Sequence, residues 1–312
     1  MNKQNNQFSK IKLVFPIFLL ITLVSCQDQF DIAESKKGLA TPISKSNLSG
    51  TLITESMFDD FNYSSSSDPL LSSHNWRVRS GTGGPGIPGA TWQASNITFL
   101  ADPSNASNKL LRLKCSTNGK ASSATQAEIV SAQDKFFEGT YAARIKFSDV
   151  PISGKDGAQT VQTFFTISPW DTSDPLYSEL DFEYLCNGGW GKTGSHMWNT
   201  SWNSTTVNVT NAVKASYSGW KDLVMTVSGG QIKYYVNGVL HNTHSGIYYP
   251  RRKMFIDFNL WFINDRNPAS AYVQDVDWVY FAKNTILTTT EVNAQVNANR
   301  ASQTTHYDSV AP

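Results

Sequence analysis

The sequence has few cysteines, and this scarcity limits what disulfide bonds can contribute to the fold. Only three cysteines occur in 312 residues. Cys26 ends an apolar N-terminal segment, which leaves Cys115 and Cys186 for the rest of the chain. Two cysteines cannot form the framework of a small disulfide-rich secreted domain, and the sequence leaves their own pairing open. The fold therefore has to depend on a hydrophobic core.

Charge is also scarce, and neither sign is in excess. Charged residues make up 16% of the chain, and the formal net charge is +1. Residues 1–25 contain three lysines and no acidic residue, so the remainder carries a formal charge of −2. Binding to nucleic acid requires a basic face. We therefore expect no nucleic-acid partner.

Long apolar runs are absent after Cys26. The run at 13–24 is too short to span a bilayer comfortably. Three lysines precede it and Ser25 and Cys26 follow it, which predicts an export signal. Residues 23–26 (LVSC) resemble a bacterial lipobox, which implies cleavage before Cys26 and a lipid anchor on that cysteine; an ordinary secretory signal is the alternative. We expect an exported protein, anchored at the outer membrane or cell surface, or periplasmic or secreted without the anchor.

Composition divides the chain into four parts. The predicted signal peptide covers 1–25, and a polar tether without sustained periodicity follows at 26–54. Residues 55–284 have the size of a single all-β domain. Residues 285–312 are rich in Thr, Asn, Gln and Ser, which predicts a poorly ordered polar tail.

Helical periodicity is lacking in the middle of the chain, where no apolar stripe persists for three turns. Short alternating or apolar runs separated by turn residues recur instead, as is typical of strands. Asn237-Gly238 between two such runs predicts a type I′ hairpin, and Gly229-Gly230 joins this hairpin to a preceding strand. Many strands in one domain have to stack in two layers, so the sequence predicts an all-β sandwich of two antiparallel sheets. Further strands are predicted at 109–115, 139–147, 161–167, 178–185, 253–262 and 276–282.

Three acidic residues occupy alternate positions of one predicted strand: Glu179, Asp181 and Glu183. Period-two alternation puts them on one face, while the apolar or aromatic residues between them face the core. Neighbouring carboxylates repel each other, and this segment offers them no basic partner, so a purely structural use is unfavourable. A solvated strand surface is the alternative interpretation.

The spacing of the acids suits cleavage of a glycosidic bond with retention of configuration. This reaction requires a carboxylate that attacks the anomeric carbon and a carboxylic acid that protonates the leaving oxygen, about 5 to 5.5 Å apart. Residues four apart on a strand have Cα atoms about 13 Å apart, so only long side chains such as Glu179 and Glu183 can approach each other. Asp181 between them raises the proton affinity of the site, which lets one glutamate keep a proton near neutral pH. The 9 Trp, 12 Tyr and 17 Phe of the chain offer flat surfaces for sugar rings.

The sequence around these acids is similar to glycoside hydrolase family 16, which includes lichenases, laminarinases, agarases, carrageenases and xyloglucan endotransglycosylases. The triplet matches the family's catalytic motif Glu-x-Asp-x-Glu. Four further segments resemble family motifs in the right order: 127–147 (AEIVSAQDKFFEGTYAARIKF), 219–241 (GWKDLVMTVSGGQIKYYVNGVLH), 257–262 (DFNLWF) and 276–281 (VDWVYF). The resemblance covers about residues 57 to 284.

The resemblance implies a concanavalin A-like β-jelly roll with an open cleft for a polysaccharide. It also implies that Glu179 is the nucleophile, that Asp181 assists it and that Glu183 is the acid/base, roles that the chemistry alone does not assign. One residue separates Asp181 from Glu183, as in lichenases and xyloglucan enzymes, whereas laminarinases and agar or carrageenan enzymes typically have two. This spacing favours a β-1,3/1,4-glucan as the substrate.

Candidate sugar-binding residues come from matches to cleft positions in the family and from aromatic residues near the acids: Glu128, Tyr177, Trp198, Trp202, Asn259 and Trp261. Two departures affect this region. Tyr177-Ser178 replaces the family's Trp-Asp before the first glutamate, and Ile129-Val130 replaces an arginine expected after Glu128.

Asp277 matches an aspartate that helps to hold a structural calcium ion in some members of the family. The resemblance therefore makes calcium a candidate structural ion, whereas catalysis requires no cofactor. The leading hypothesis is a monomeric endo-β-glucanase. A hydrolase of a marine galactan of the agar or carrageenan type, a transglycosylase and a non-catalytic carbohydrate-binding jelly roll are the alternatives.

Three other motifs carry little weight. Residues 81–86 fit G-x-G-x-x-G but contain a proline, and no helix pattern follows, so they predict a loop. His241 and His244 have no third metal ligand nearby in the sequence. The basic segment 250–253 is interpreted as a solvated turn, with contact to an anionic glycan such as a sulfated galactan as the alternative.

Overall fold

The computed structural model describes residues 52–312, and strands dominate this part of the chain. In chain order the strands are β1 (Ser56–Asp59), β2 (Trp76–Val78), β3 (Thr91–Trp92), β4 (Ile97–Asp102), β5 (Asn105–Thr117), β6 (Thr125–Ser131), β7 (Gly139–Phe147), β8 (Ser153–Gly154), β9 (Thr160–Ile167), β10 (Glu179–Leu185), β11 (His196–Trp202), β12 (Asn208–Lys214), β13 (Gly219–Ser228), β14 (Gln231–Val236), β15 (Val239–Ser245), β16 (Phe255–Phe262), β17 (Ser270–Lys283) and β18 (His306–Asp308). The α-helices are α1 (Pro69–Ser73) and α2 (Thr289–Ala301). In residues 52–312, no helix has both the length and the apolar character that crossing a bilayer requires. The predicted signal peptide, Cys26 and the tether up to residue 51 lie outside the described residues.

The strands form two stacked antiparallel sheets, so the predicted all-β jelly-roll sandwich is confirmed. One sheet, here called the cleft sheet, has the strand order β2-β6-β16-β9-β10-β11-β12. The other, here called the back sheet, contains the order β4-β5-β17-β7-β13-β14-β15, with β1 between β17 and β18. A two-residue parallel contact of β3 with β6 is the exception to antiparallel pairing.

The turn chemistry of the predicted meander is confirmed. Asn237 and Gly238 have φ angles of 50° and 78°, the left-handed conformation that a type I′ turn requires between β14 and β15. Gly229 and Gly230 have φ angles of 58° and 75° between β13 and β14. Strands β13, β14 and β15 therefore pair in sequence, with one register shift after Tyr234.

The core lies between the two sheets and fixes which way the acids point. Leu180, Phe182 and Tyr184 of β10 are fully buried in it. The ring of Phe182 packs edge-on against Tyr234 of the back sheet, with ring centroids 5.2 Å apart. Each such side chain contributes about 2 to 3 kcal/mol through burial of apolar surface. Because side chains alternate along a strand, this packing directs the acidic residues of β10 to the opposite face.

The C-terminal segment 285–312 forms regular structure, so the prediction of a poorly ordered tail is wrong. Helix α2 begins with a capping box, in which Thr288 and Glu291 each accept a hydrogen bond from the other's backbone N–H. Val292 and Val296, one turn apart, are buried against the outer face of the back sheet. Strand β18 then pairs with β1. The sequence pattern missed the helix because only two apolar residues at helical spacing hold an otherwise polar segment in place.

Candidate active site

A cleft of about 930 Å³ lies on the outer face of the cleft sheet. Its aromatic residues are Phe165, Trp170, Trp190, Trp198, Trp202, Phe255 and Trp261. Its acidic residues are Glu128, Glu179, Asp181, Glu183 and Asp257. Aromatic walls with a few convergent polar groups are typical of ligand-binding sites, and such rings pack on the C–H faces of sugars.

Strand β10 places the predicted acid triplet in the middle of this cleft. It pairs with β9 and β11 along its length without a register shift, so Glu179, Asp181 and Glu183 share one face. Trp202 lies opposite Glu179 on β11, and Trp198 lies opposite Glu183. The triplet therefore stands next to two indole rings in the cleft, as the sequence analysis predicts for these five residues.

The two glutamates have different hydrogen-bond partners. The Tyr177 hydroxyl donates a short hydrogen bond to Glu179 Oε2. The only donor to Glu183 among the described side chains is the Thr200 hydroxyl, at 3.4 Å from Glu183 Oε2. Donation to a carboxylate favours its ionised form. Glu179 is therefore the glutamate better able to carry the negative charge.

Burial and mutual repulsion keep protons on the triplet at neutral pH. Burial raises the pKa of Glu179 to about 7, and burial followed by repulsion from Glu179 raises the pKa of Glu183 to about 8. Burial and then the two glutamates raise the pKa of Asp181 well above its usual range. Trp202 Nε1 donates to Asp181 Oδ2 at 2.7 Å, which fixes the aspartate between the glutamates. The three groups titrate as a set, with Glu179 the first glutamate to ionise.

The structure places Tyr177 beneath the cleft and not in its wall, which differs from its predicted role in sugar binding. Its side chain is fully buried, and its polar end reaches Glu179. Arg251 holds the backbone here, because its guanidinium donates to the Tyr177 carbonyl at 2.7 Å and its N–H donates to the Ser178 hydroxyl at 2.9 Å. Arg251 of segment 250–253 therefore holds the chain that leads into β10, a structural role that the sequence did not suggest.

Glu128 lines the cleft as predicted, and an unexpected arginine partners it. Arg79, which follows β2, forms an ion pair with Glu128 at 2.8 Å. The same guanidinium lies over the Trp92 ring at 4.3 Å and donates to the Gly84 carbonyl at 2.7 Å. Glu128 is therefore the cleft acid whose charge is compensated by a nearby arginine.

The other predicted cleft residues are present, and one of them is held rigidly. Asn259 and Trp261 on β16 and Trp198 on β11 line the cleft while being largely buried. The Thr163 hydroxyl donates to Asn259 Oδ1 at 2.7 Å and accepts from the Asn259 N–H at 2.9 Å. This double contact fixes the amide of Asn259 in the floor of the cleft.

The cleft also contains residues outside the predicted binding set, among them Arg77, Trp190 and Asp257. Trp190 is 41% exposed and has a φ angle of 46°, unusual for a residue with a side chain. Its ring packs edge-on against Trp198 at 5.3 Å. The glycines on both sides of Trp190 were the available signal, since they permit the sharp loop that lifts the indole into the cleft. The loop at 81–86, predicted as such, also reaches the cleft through Gly84 and Pro85.

Asp277 does not fit a calcium ion. Arg300 Nη2 lies 2.6 Å from Asp277 Oδ1, and Arg144 Nε lies 3.6 Å from Asp277 Oδ2. Asn108 Nδ2 donates to Asp277 Oδ1 at 2.8 Å. Calcium requires six to eight oxygen ligands, whereas donors and two positive charges surround this carboxylate. The guanidinium of Arg300, from helix α2, lies where a calcium ion bound to Asp277 would have to lie.

The two cysteines and two histidines considered in the sequence analysis lie among other protein side chains. Cys115 and Cys186 are free and buried in the described structure, which answers the open question of their pairing. His244 contacts the Ser201 hydroxyl at 2.8 Å and the Asn211 amide oxygen at 2.9 Å. His241 packs edge-on against a tyrosine ring.

Known structures share this fold at low sequence identity. The β-glucanase of Bacillus licheniformis has a TM-score of 0.55 at 20% identity over 73% of this chain and 98% of its own. A Bacteroides ovatus GH16 protein, described as from a mixed-linkage glucan locus and in complex with a G4G4G3G product, has a TM-score of 0.53 at 15% identity over 71% and 98%. A laminarinase from Flavobacterium sp. UMI-01 has a TM-score of 0.53 at 15% identity over 72% and 98%. The sequence matches no protein-family model and no curated protein.

Proposed function

We propose that this chain is a retaining endo-glycosidase of glycoside hydrolase family 16 that hydrolyses internal O-glycosidic bonds of a polysaccharide. The observation that carries the proposal is the triplet Glu179, Asp181 and Glu183 on one face of β10, inside an aromatic cleft. A carbohydrate-binding module of the same fold would need aromatic rings but no pair of glutamates with raised pKa values.

The geometry supports a double displacement. The ionised Glu179 attacks the anomeric carbon and forms a glycosyl-enzyme ester, while protonated Glu183 gives its proton to the leaving oxygen as the glycosidic bond breaks. Glu183 then takes a proton from water, which attacks the same carbon and releases Glu179 with net retention. Asp181 stays protonated beneath them and hydrogen-bonds Glu179, which offsets part of the rise in the pKa of Glu179 that burial causes. The donors Tyr177 and Trp202 hold Glu179 and Asp181 in place.

A β-1,3/1,4-glucan is the substrate we propose. Strand β10 pairs with both neighbours without a bulge, as the single residue between Asp181 and Glu183 predicted. Proteins of similar fold include a β-glucanase and a protein bound to a glucan product. Aromatic rings on both sides of the triplet suit the flat faces of glucose units.

We also propose that the chain is exported and carries a lipid on Cys26, which would hold a monomeric enzyme at a membrane surface. The support is the sequence of residues 1–26 alone. Replacement Cys26→Ser is expected to move the protein from the membrane fraction to the soluble exported fraction. Unchanged fractionation would contradict lipid anchoring.

The decisive experiment compares the wild-type chain with Glu179→Gln on barley β-glucan, laminarin, agarose and carrageenan. We expect the wild type to release reducing ends from barley glucan, and the variant to lose activity by a factor on the order of 10⁴ with its fold intact. Mass analysis of the products distinguishes internal cleavage from transfer to another sugar. Equal turnover by both proteins on any polymer would refute a nucleophilic role for Glu179.

A further inference from the structure

Asp257 is a second buried aspartate in the cleft, away from the catalytic strand. It lies on β16, opposite Phe165 of β9 and Val130 of β6. Phe165 in turn lies opposite Asp181 of β10. Asp257 and Asp181 therefore stand in one row across the sheet, two strands and about 10 Å apart. A bound oligosaccharide that passes the catalytic acids can reach both.

The surroundings leave part of the Asp257 carboxyl without a partner. The side chain lines the cleft but is only 4% exposed. Its Oδ1 atom is buried and has no hydrogen-bond partner among residues 52–312. The charged groups that act on it are Glu128 of β6, Arg79 and Arg77 beside it, and Glu179 of β10. Burial first, and then the Glu128 carboxylate, raise the pKa of Asp257 well above its usual range.

Such a group costs folding free energy unless it meets a ligand. Buried polar atoms without partners are rare in native proteins and destabilise the fold. The neighbours Phe165 and Val130 are apolar, so an apolar residue would suit the free protein better at this position. A protonated carboxyl can both donate and accept a hydrogen bond, as a sugar hydroxyl can. The unpartnered oxygen therefore indicates a site for a polar, uncharged group of a ligand.

We infer that, in the enzyme proposed above, Asp257 binds a hydroxyl group of the sugar ring that lies over β9 and β16. The inference rests on the proposed function and narrows its substrate to neutral glycans with a free hydroxyl at that ring. Asp257 touches no reacting atom in this arrangement, so it determines specificity and affinity and leaves the bond-breaking step to β10.

Arg77 provides the competing interpretation. Its guanidinium lies 6.0 Å from the centre of the Phe255 ring and has no ion-pair partner in the described structure. A sulfated or carboxylated sugar would be attracted to this charge. A sulfate or carboxylate that binds Arg77 would replace the hydroxyl group that Asp257 is inferred to bind. The two interpretations therefore predict opposite preferences for charged and neutral glycans.

The binding experiment uses the full chain with Glu179→Gln, which retains ligand without turnover. The probes are a mixed-linkage glucan tetrasaccharide and a carrageenan tetrasaccharide, measured by isothermal titration. We expect Asp257→Leu to weaken glucan binding by about tenfold, since one hydrogen bond to the ligand is lost. Asp257→Asn is expected to keep part of the affinity, because an amide also donates and accepts. Asp265→Asn, an exposed carboxylate in the loop after β16, is the matched control and should bind as the parent does.

Thermal unfolding of the same proteins separates a ligand site from a structural role. Asp257→Leu should unfold at the same temperature as the parent or higher, because it removes a buried oxygen without a partner. Weaker binding with undiminished stability supports the inference. A lower unfolding temperature with unchanged affinity would overturn it, and so would preferential binding of the carrageenan probe that depends on Arg77.

Kinetics in the chain that retains Glu179 distinguish failure of the inference from failure of the proposed function. Asp257→Asn should raise KM for barley glucan and leave kcat within about twofold. Hydrolysis with an unchanged KM would refute the role of Asp257 alone. Binding without hydrolysis by the wild type would refute the proposed function while the titrations still report on Asp257. Failure of the Glu179→Gln chain to bind either probe would refute both.

Discussion

The outer faces of the two sheets use acidic residues in opposite ways. On the back sheet each acid of one cluster is paired with a guanidinium: Asp222 with Arg144, Asp275 with Arg112 and Asp277 with Arg300. On the cleft sheet, Glu128 alone of the five cleft acids has such a pair among the described residues. Charges that stabilise a fold are compensated, whereas charges that perform chemistry are left uncompensated and shift their pKa values.

The largest expected effect is on turnover, and it concerns a cleft acid that has no ion-pair partner in the described part of the chain. Replacement Glu183→Gln removes the proposed proton donor, so hydrolysis of barley glucan should slow by about 10²- to 10⁴-fold. Cleavage of a dinitrophenyl glycoside, whose leaving group needs no proton, should be far less affected in its first step. The alkaline limb of the pH profile, set by the pKa of Glu183 of about 8, should disappear. Equal loss on both substrates would contradict a role as general acid.

The compensated face should respond in stability and not in turnover. Replacement Arg300→Met leaves Arg144, at 3.6 Å, as the positive charge nearest to Asp277 and should lower the free energy of unfolding by about 1 to 3 kcal/mol, measured by urea denaturation. The value of kcat on barley glucan should stay unchanged. Arg266→Met, at an exposed arginine, is the control. A chelator should leave the unfolding temperature of the wild type unchanged. A decrease in that temperature that added calcium reverses would contradict the conclusion that Arg300, and not calcium, neutralises Asp277.

A smaller effect is expected where one hydroxyl tunes a cleft acid. Replacement Tyr177→Phe removes the donor to Glu179 and should raise the pKa of that carboxyl. Glu179 must be ionised to attack, so the acid limb of the pH profile should move to higher pH by about one unit, with about tenfold lower activity on that limb. Tyr184→Phe, on the core face of β10, is the control. An acid limb that stays in place would show that Tyr177 only fills space.

The smallest effect concerns how stability depends on pH. Glu179 and Glu183 have pKa values of about 7 and about 8 when folded, against an ordinary value of 4.5. Between these values the folded chain binds more protons than the unfolded chain, so the free energy of unfolding falls as pH rises. The unfolding temperature of the wild type should therefore fall between about pH 5 and about pH 8. In Glu183→Gln this fall should be smaller by a few degrees. An identical slope in both proteins would show that folding does not raise the pKa of Glu183.

Much of the cleft sheet follows from local sequence rules, while the surroundings of its acids do not. Alternation along β10 determines which face Glu179, Asp181 and Glu183 share, and Asn237-Gly238 fixes a hairpin through its own backbone preference. Arg79 reaches Glu128 across β-sheet pairing between residues 49 positions apart, and no local pattern encodes such a contact. In the sequence, Asp257 is one of two polar residues in an otherwise apolar strand, and only the pairing of three strands shows what lies beside it.

Strand β1 determines on which side of the domain the chain enters the fold. It lies between β17 and β18 in the back sheet, so the chain enters the fold next to its own C-terminal strand and on the side away from the cleft. A polymer threaded through the cleft therefore does not cross this entry point.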